Sequence, residues 1–176
     1  MRPDPDCSLC GLCAGRTKIV LPDGNPDSGI VFVGEAPGES EDREGRPFVG
    51  RSGKVLSSMM EKAGFSRADV LITNTVKCRP PSNRDPMPDE MAACRPFLES
   101  ELEGANLVVG LGKSACRDLM GYEGPMGSVV NVMSSIEVRG RRIRFLPAYH
   151  PAATIYNREL RRELERTMEI VAGELR

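Results

Sequence analysis

The placement of six cysteines constrains this 176-residue chain more than any other feature. Cys7 and Cys10 form a C-x-x-C pair near the N-terminus, and Cys78 and Cys94 follow much later, with fifteen residues between them. Thiols so distributed converge only if the N-terminal segment is pinned against the middle of the fold. A soft metal centre does that, and four thiolates suit either a zinc ion or an iron–sulfur cluster. Cys13 extends the first pair to C-x-x-C-x-x-C, so spacing alone leaves the ligand set open. Cys116 falls in a helical pattern and reads as a small buried hydrophobe.

The compartment follows from the same residues. The N-terminus is polar and Pro-rich, without the apolar core of a signal peptide, and no apolar run has the length of a membrane span. A cytoplasmic, reducing location is therefore expected, in which cysteines serve as ligands or buried thiols rather than disulfides. The length fits one domain, 1–176, with a sizeable core.

Four short apolar runs, Ile30–Val33, Val70–Thr73, Leu107–Val109 and Ile143–Leu146, read as buried strands. Helical patterns lie between them at Gly53–Ala63, Pro88–Glu103 and Lys113–Met120. Leu160, Leu164, Met168, Val171 and Leu175 mark one face of a C-terminal helix. Val129–Val138 reads as a further strand, in a hairpin. Strands alternating with helices predict α/β architecture: a three-layer α/β/α sandwich around a central, mostly parallel four-stranded sheet.

Ligands of such sheets bind beyond the carboxyl ends of the strands. Unusual residues stand there: Gly34-Glu35-Ala36-Pro37-Gly38 after the first run, Asn74 ending the second, Tyr149-His150-Pro151 after the last. Phe48, in a Pro/Gly loop, is placed to stack on a flat ring. The Asn74 amide offers a donor and an acceptor side by side, which matches a nucleobase edge. His150, the only histidine, can donate a hydrogen bond to a carbonyl oxygen that turns negative during reaction. Gly110-Leu111-Gly112-Lys113-Ser114-Ala115 matches G-x-G-x-x-A only weakly, lacking an acidic residue about 20 positions on. It reads as a helix N-terminus suited to a phosphate of a polymer.

Formal net charge is -1, so bulk charge neither demands nor excludes a polyanion. Basic residues cluster at Arg43, Arg46, Arg51 and Lys54, at Lys77, Arg79 and Arg84, and at Arg139, Arg141, Arg142 and Arg144. Such clusters are usually solvated faces.

Together these segments resemble the fourth, iron–sulfur family of uracil-DNA glycosylases. The matching stretches run in order: C-x-x-C with Gly15-Arg16-Thr17, Gly24-Asn25-Pro26, Val33 to Gly38, and Glu41-Asp42. Then come Gly45 to Arg51, Asn74 to Pro81, Asn83 to Pro86, Cys94-Arg95-Pro96 and Tyr149-His150-Pro151. The resemblance implies a 4Fe–4S cluster of structural role on Cys7, Cys10, Cys78 and Cys94, with Cys13 spare. It implies a base pocket in which the backbone of Glu35, Ala36 and Pro37 faces uracil, Phe48 stacks on it, Asn74 reads its edge and His150 reaches O2. Ala36 stands where better-known relatives carry a water-positioning Asp, which leaves Glu41 and Glu35 as candidates for that role. Ile155 is the implied wedge for the hole left by a flipped base, with Tyr156, in place of a usual Arg, beside it. Arg51, Lys77, Arg84, Lys113 and Ser114 are further expected DNA contacts.

The expected activity is monofunctional hydrolysis of the N-glycosidic bond of uracil in single- or double-stranded DNA, by a monomer, leaving an abasic site. The alternatives are a non-catalytic nucleic-acid-binding module on the same fold and a zinc-bound nucleotide-binding protein.

Overall fold

The computed structural model describes residues 1–176. In chain order the elements are β1 (Asp23–Gly24), β2 (Ile30–Gly34), α1 (Glu39–Glu44), α2 (Arg51–Lys62), β3 (Leu71–Asn74), α3 (Pro88–Glu101), β4 (Leu107–Leu111), α4 (Lys113–Met120), β5 (Ser134–Val138), β6 (Arg141–Ala148) and α5 (Arg158–Glu174). Every residue of β2, β3 and β4 is buried. Such runs suit parallel strands covered on both faces, and that is how they pair. The sheet order is β1-β3-β2-β4-β6-β5, with the inner four strands parallel and both edges antiparallel.

The four expected strands are thus the parallel core of a six-stranded sheet. β1 escapes sequence reading because two residues, Asp-Gly, carry no pattern. The hairpin strand begins at Ser134 rather than Val129, since Met126–Ser128 forms a 3-10 turn and Asn131 takes a left-handed φ of 62°. α1, absent from the helical patterns read in the sequence, is an acidic helix stopped by Gly45 at φ 75°.

Alternate side chains of each strand feed opposite layers. Ile30, Phe32, Ile72 and Val109 pack beneath α2 and α5, against Leu56, Met60, Leu164 and Met168. Val31, Val33, Val108 and Phe145 pack beneath α3 and α4, against Leu98, Leu102, Cys116 and Leu119. Burying one such aliphatic side chain contributes about 1.5–3 kcal/mol, so the two layers supply most of the driving force.

A third, smaller cluster gathers Leu12, Val76, Cys78, Met91, Cys94 and Phe97, with Cys7, Cys10 and Ile19 against it. It fastens the N-terminal segment, whose only regular piece is a 3-10 turn at Gly11–Ala14. Polar ties reinforce it. Val20 N–H donates to Lys77 O at 2.8 Å, and the Thr17 and Lys18 N–H groups donate to buried Asp42 Oδ1 at 2.8 and 3.3 Å. No helix is long and apolar enough to cross a membrane.

Candidate active site

The parallel register sets Gly34 beside Asn74 and Leu111 beside Ala148, so the residues that follow meet on one rim. There they enclose a cavity of about 390 Å³, lined among others by Glu35, Ala36, Pro37, Glu41, Phe48, Asn74 and His150. The expected segments after β2, β3 and β6 meet there, whereas Gly112, Lys113 and Ser114 line a neighbouring cavity.

Asn74 is 3% exposed, and its Oδ1 is the one buried side-chain polar atom without a hydrogen-bond partner. Leaving such an acceptor unmet costs about 1–3 kcal/mol, which marks a group reserved for a ligand donor. Gly34 makes room for it. A Cβ there would lie 2.5 Å from both Asn74 Oδ1 and Phe48 Cζ, so the amide and ring come together only over a bare Cα. Phe48 itself has a left-handed φ of 51°, at a cost of order 1–3 kcal/mol for a bulky residue. α2 approaches so closely that a Cβ on Gly53 would overlap the Phe48 carbonyl.

The loop after β2 is zipped to the segment after β3. Thr75 N–H donates to Gly34 O at 2.9 Å, Thr75 Oγ1 to Glu35 O at 2.6 Å and Val76 N–H to Glu35 O at 3.3 Å. With these carbonyls engaged, it is the loop's N–H side that remains for a ligand, and no protein acceptor takes the Ala36 N–H.

His150 closes the opposite wall, its ring 5.7 Å from that of Phe48. Its Nδ1 accepts from Ala152 N–H at 3.1 Å, which places the proton of a neutral imidazole on Nε2. Burial pushes the ring down to about 4, so it is neutral at ordinary pH and remains a donor through Nε2–H.

The two acids differ. Glu41 lines the base cavity, and burial raises its carboxyl although its own N–H and that of Gly50 bond to it. Glu35 also lines a neighbouring cavity of about 290 Å³ shared with Asp85, Lys113, Ser114, Arg117 and His150. Burial raises its carboxyl, Ser114 opposes this through a hydrogen bond, and Asp85 raises it further.

The expected DNA contacts fare unevenly. Lys113 and Tyr156 are exposed, Tyr156 by 87%, and Ile155 is half-buried beside it. Arg51 donates to Tyr156 Oη at 3.0 Å and sits 5.2 Å from the ring centre, which braces the aromatic upright. Arg84 lines the cavity but is gripped bidentately by Glu90 at 2.9 and 2.6 Å.

One expectation is corrected. Lys77 is 1% exposed and cannot reach DNA; its Nζ donates to Thr73 Oγ1, Asn74 O and Glu101 Oε2, each at 2.7 Å. A basic residue inside a basic motif reads as surface, and only Glu101, far along the chain, turns it into a buried pin on the Asn74 peptide. Ser114, 7% exposed, lines the smaller cavity beside Glu35 and Lys113. Of the third basic cluster, Arg139 pairs with Glu99 and Glu103 and Arg144 with Glu174, while Arg141 donates to backbone carbonyls, so two of its four charges are paired with acids.

All six thiols are free. Cys7, Cys10, Cys78 and Cys94 share the third apolar cluster, whereas Cys13 lies outside it and Cys116 is buried under β4, its thiol near Gly110 O. Burial pushes the Cys78 thiol up to about 11 against the opposing Arg16, whose guanidinium lies 3.6 Å from the sulfur. Thiols in such a setting ionise only with further positive charge, which a metal centre supplies. The donor set, four thiols and no histidine, is compatible with either zinc or an iron–sulfur cluster.

Comparison with known proteins bears on the whole chain. Residues 21–171 match the family model described as the uracil DNA glycosylase superfamily. The chain is 43% identical to the type-4 uracil-DNA glycosylase of Sulfurisphaera tokodaii, covering 90% of this chain and 76% of that protein. It is 44% identical to the Thermotoga maritima type-4 enzyme, over 89% and 82%. It is 41% identical to that of Archaeoglobus fulgidus, over 96% and 87%.

Proposed function

From the premise that this chain belongs to the uracil DNA glycosylase superfamily, and within it to the type-4 enzymes, we propose how its cavity works. The protein is a DNA-repair hydrolase that cleaves the N-glycosidic bond of uracil in DNA and leaves an abasic site. The observation that carries the site reading is the unpartnered Asn74 Oδ1 in a cavity of base size.

A base inside a duplex is out of reach, so it must be extruded into the cavity. There Phe48 offers its ring as a platform. Uracil presents an N3–H donor next to the O4 acceptor; the Asn74 Oδ1 accepts the first, and the amide NH2 donates to the second. Cytosine presents the opposite pattern and leaves Oδ1 facing a lone pair, which penalises it. As the glycosidic bond breaks, its electron pair moves onto the base and negative charge gathers at O2. His150 Nε2–H donates there, and because the ring is neutral, the charge is met by a hydrogen bond without transfer of the proton. Ala36 N–H and its neighbours add backbone donors. Glu41 orders the water that adds to C1′, with Glu35 as the second acid at the cavity wall. Ile155 and the braced Tyr156 fill the vacated stack, while Arg51, Arg84 and Lys113 flank the path of the strand.

Cys7, Cys10, Cys78 and Cys94 hold a 4Fe–4S cluster in this reading. Bound there, it supplies a structural tie between the tail and the base-reading strand. The substrate is uracil-containing DNA, single- or double-stranded, met by a monomer in the cytoplasm. Incubation with a uracil-bearing oligonucleotide followed by hot alkali should break the strand at uracil and release free uracil. Intact strands over a range of salt and temperature would refute the reading.

A further inference from the structure

Phe48 and Pro47 form a loop whose own sequence does not explain its left-handed backbone. The restraint comes from elsewhere. Arg67 NH1 donates to Phe48 O and NH2 to Pro47 O, both at 2.6 Å, and NH2 also donates to Asp23 Oδ2 at 3.1 Å. Arg67 stands on a stiff turn: Ser66 Oγ accepts from Ala68 N–H, and Asp69 Oδ2 accepts from Ser66 N–H at 2.7 Å. Asp23 belongs to β1, which is paired to β3, so its carboxylate is a fixed post. Burial alone would raise that carboxyl, but Arg67 and then Arg46 hydrogen-bond to it and hold it below its ordinary value. The guanidinium thus spans two carbonyls that ordinary helix or strand geometry would engage, with a fixed anion behind it. The Gly53 backbone, pressed on Phe48 O from the other side, leaves the peptide no room to relax.

We infer that Arg67 is a positioning residue for base excision: anchored by Asp23, it holds the Pro47–Phe48 carbonyls so that the Phe48 ring stands beside Asn74 across a bare Gly34. Arg67 does not line the base cavity; it touches the Phe48 loop directly, and its charge also acts from a distance on the Glu41 carboxyl. The inference rests on the reading of Phe48 as the platform for the flipped base. It also assigns a purpose to the tiny β1 strand, which no other part of the chemistry uses.

The test compares Arg67→Ala, Phe48→Ala and the double variant by single-turnover uracil release, affinity for uracil-free duplex and visible absorbance of the cluster. Arg67→Ala is expected to slow release on the order of 10- to 100-fold, as a small misplacement of a binding wall does. Affinity for uracil-free DNA and the cluster spectrum should be unchanged, and adding free guanidinium should restore part of the rate. In the Phe48→Ala background the same substitution should have little further effect. Should Arg67→Ala fail to fold, Arg67→Lys, which keeps the Asp23 pair but loses the two-carbonyl span, carries the same comparison and should fall between. A full rate in Arg67→Ala beside a slow Phe48→Ala, or equal slowing in both backgrounds, overturns the inference alone. A full rate in Phe48→Ala overturns the platform reading beneath it.

Discussion

His150 shows how one side chain's surroundings select its chemistry. The Ala152 N–H fixes the tautomer and burial fixes the charge, so the ring is a neutral donor aimed at the cavity. Two consequences follow. His150→Ala should lower single-turnover uracil release on the order of 100-fold or more, with the fold retained; a rate near that of the parent would remove the role. The pH dependence has a definite sign. The folded ring titrates at about 4, whereas an unfolded chain takes up the proton near the usual histidine value of about 6.5. Between those values the unfolded state binds more protons, so this group's contribution to stability is present above the higher value and is lost as pH falls toward the lower one. Melting curves of the parent and His150→Ala should converge across that window as pH falls. Uracil release should lack a histidine step between about pH 5 and 8. Lys77 teaches the converse: surroundings far off in sequence turned an expected DNA contact into a buried pair with Glu101. Its partner sits on α3, with nothing in the local motif to announce it.

At the level of elements, the site is made by strand ends and the loops that leave them. β2 and β3 deliver Gly34 and Asn74 in register, and the loop before α2 folds Phe48 over the pair. Gly34→Ala should therefore abolish most activity, on the order of 100-fold, with little change in melting temperature, because its methyl would occupy the meeting point of amide and ring. A Gly34→Ala protein of parental rate would show that the wall can give. Much of this was legible beforehand: the parallel core, α4 at its observed limits, and the convergence of Glu35, Phe48, Asn74 and His150 follow from strand periodicity and motif order. Illegible were the elements whose reason lies in partners. β1 exists because it pairs with β3, and the role of Asp42 on α1 shows only once the Thr17 and Lys18 N–H groups donate to it. Arg67 likewise belongs to no motif of the sequence until Asp23 and the Phe48 loop surround it. Period and turn chemistry mark residues that act within their own element, and they are silent on residues that act between elements.

Across the whole molecule, the N-terminal segment packs on the residues that follow β3 and on α3, and is tied there by apolar packing, Arg16 and Asp42. Cys78→Ser should bleach the visible absorbance of the purified protein and lower the melting temperature by about 5–15 °C, as loss of a long-range cross-link does. Limited proteolysis should then cut within the first twenty residues before any site in the sheet. A tail that resists protease without the cluster would show that Arg16 and Asp42 suffice. The placement of the tail also sets an order of events in synthesis. Residues 7 and 10 leave the ribosome first, yet their resting place needs β3, Cys78 and the turn of α3 that carries Cys94. Those two thiols must wait, unpaired, until Cys94 has been made, and the cluster proposed for them would be a closing step that only a nearly complete fold can accept.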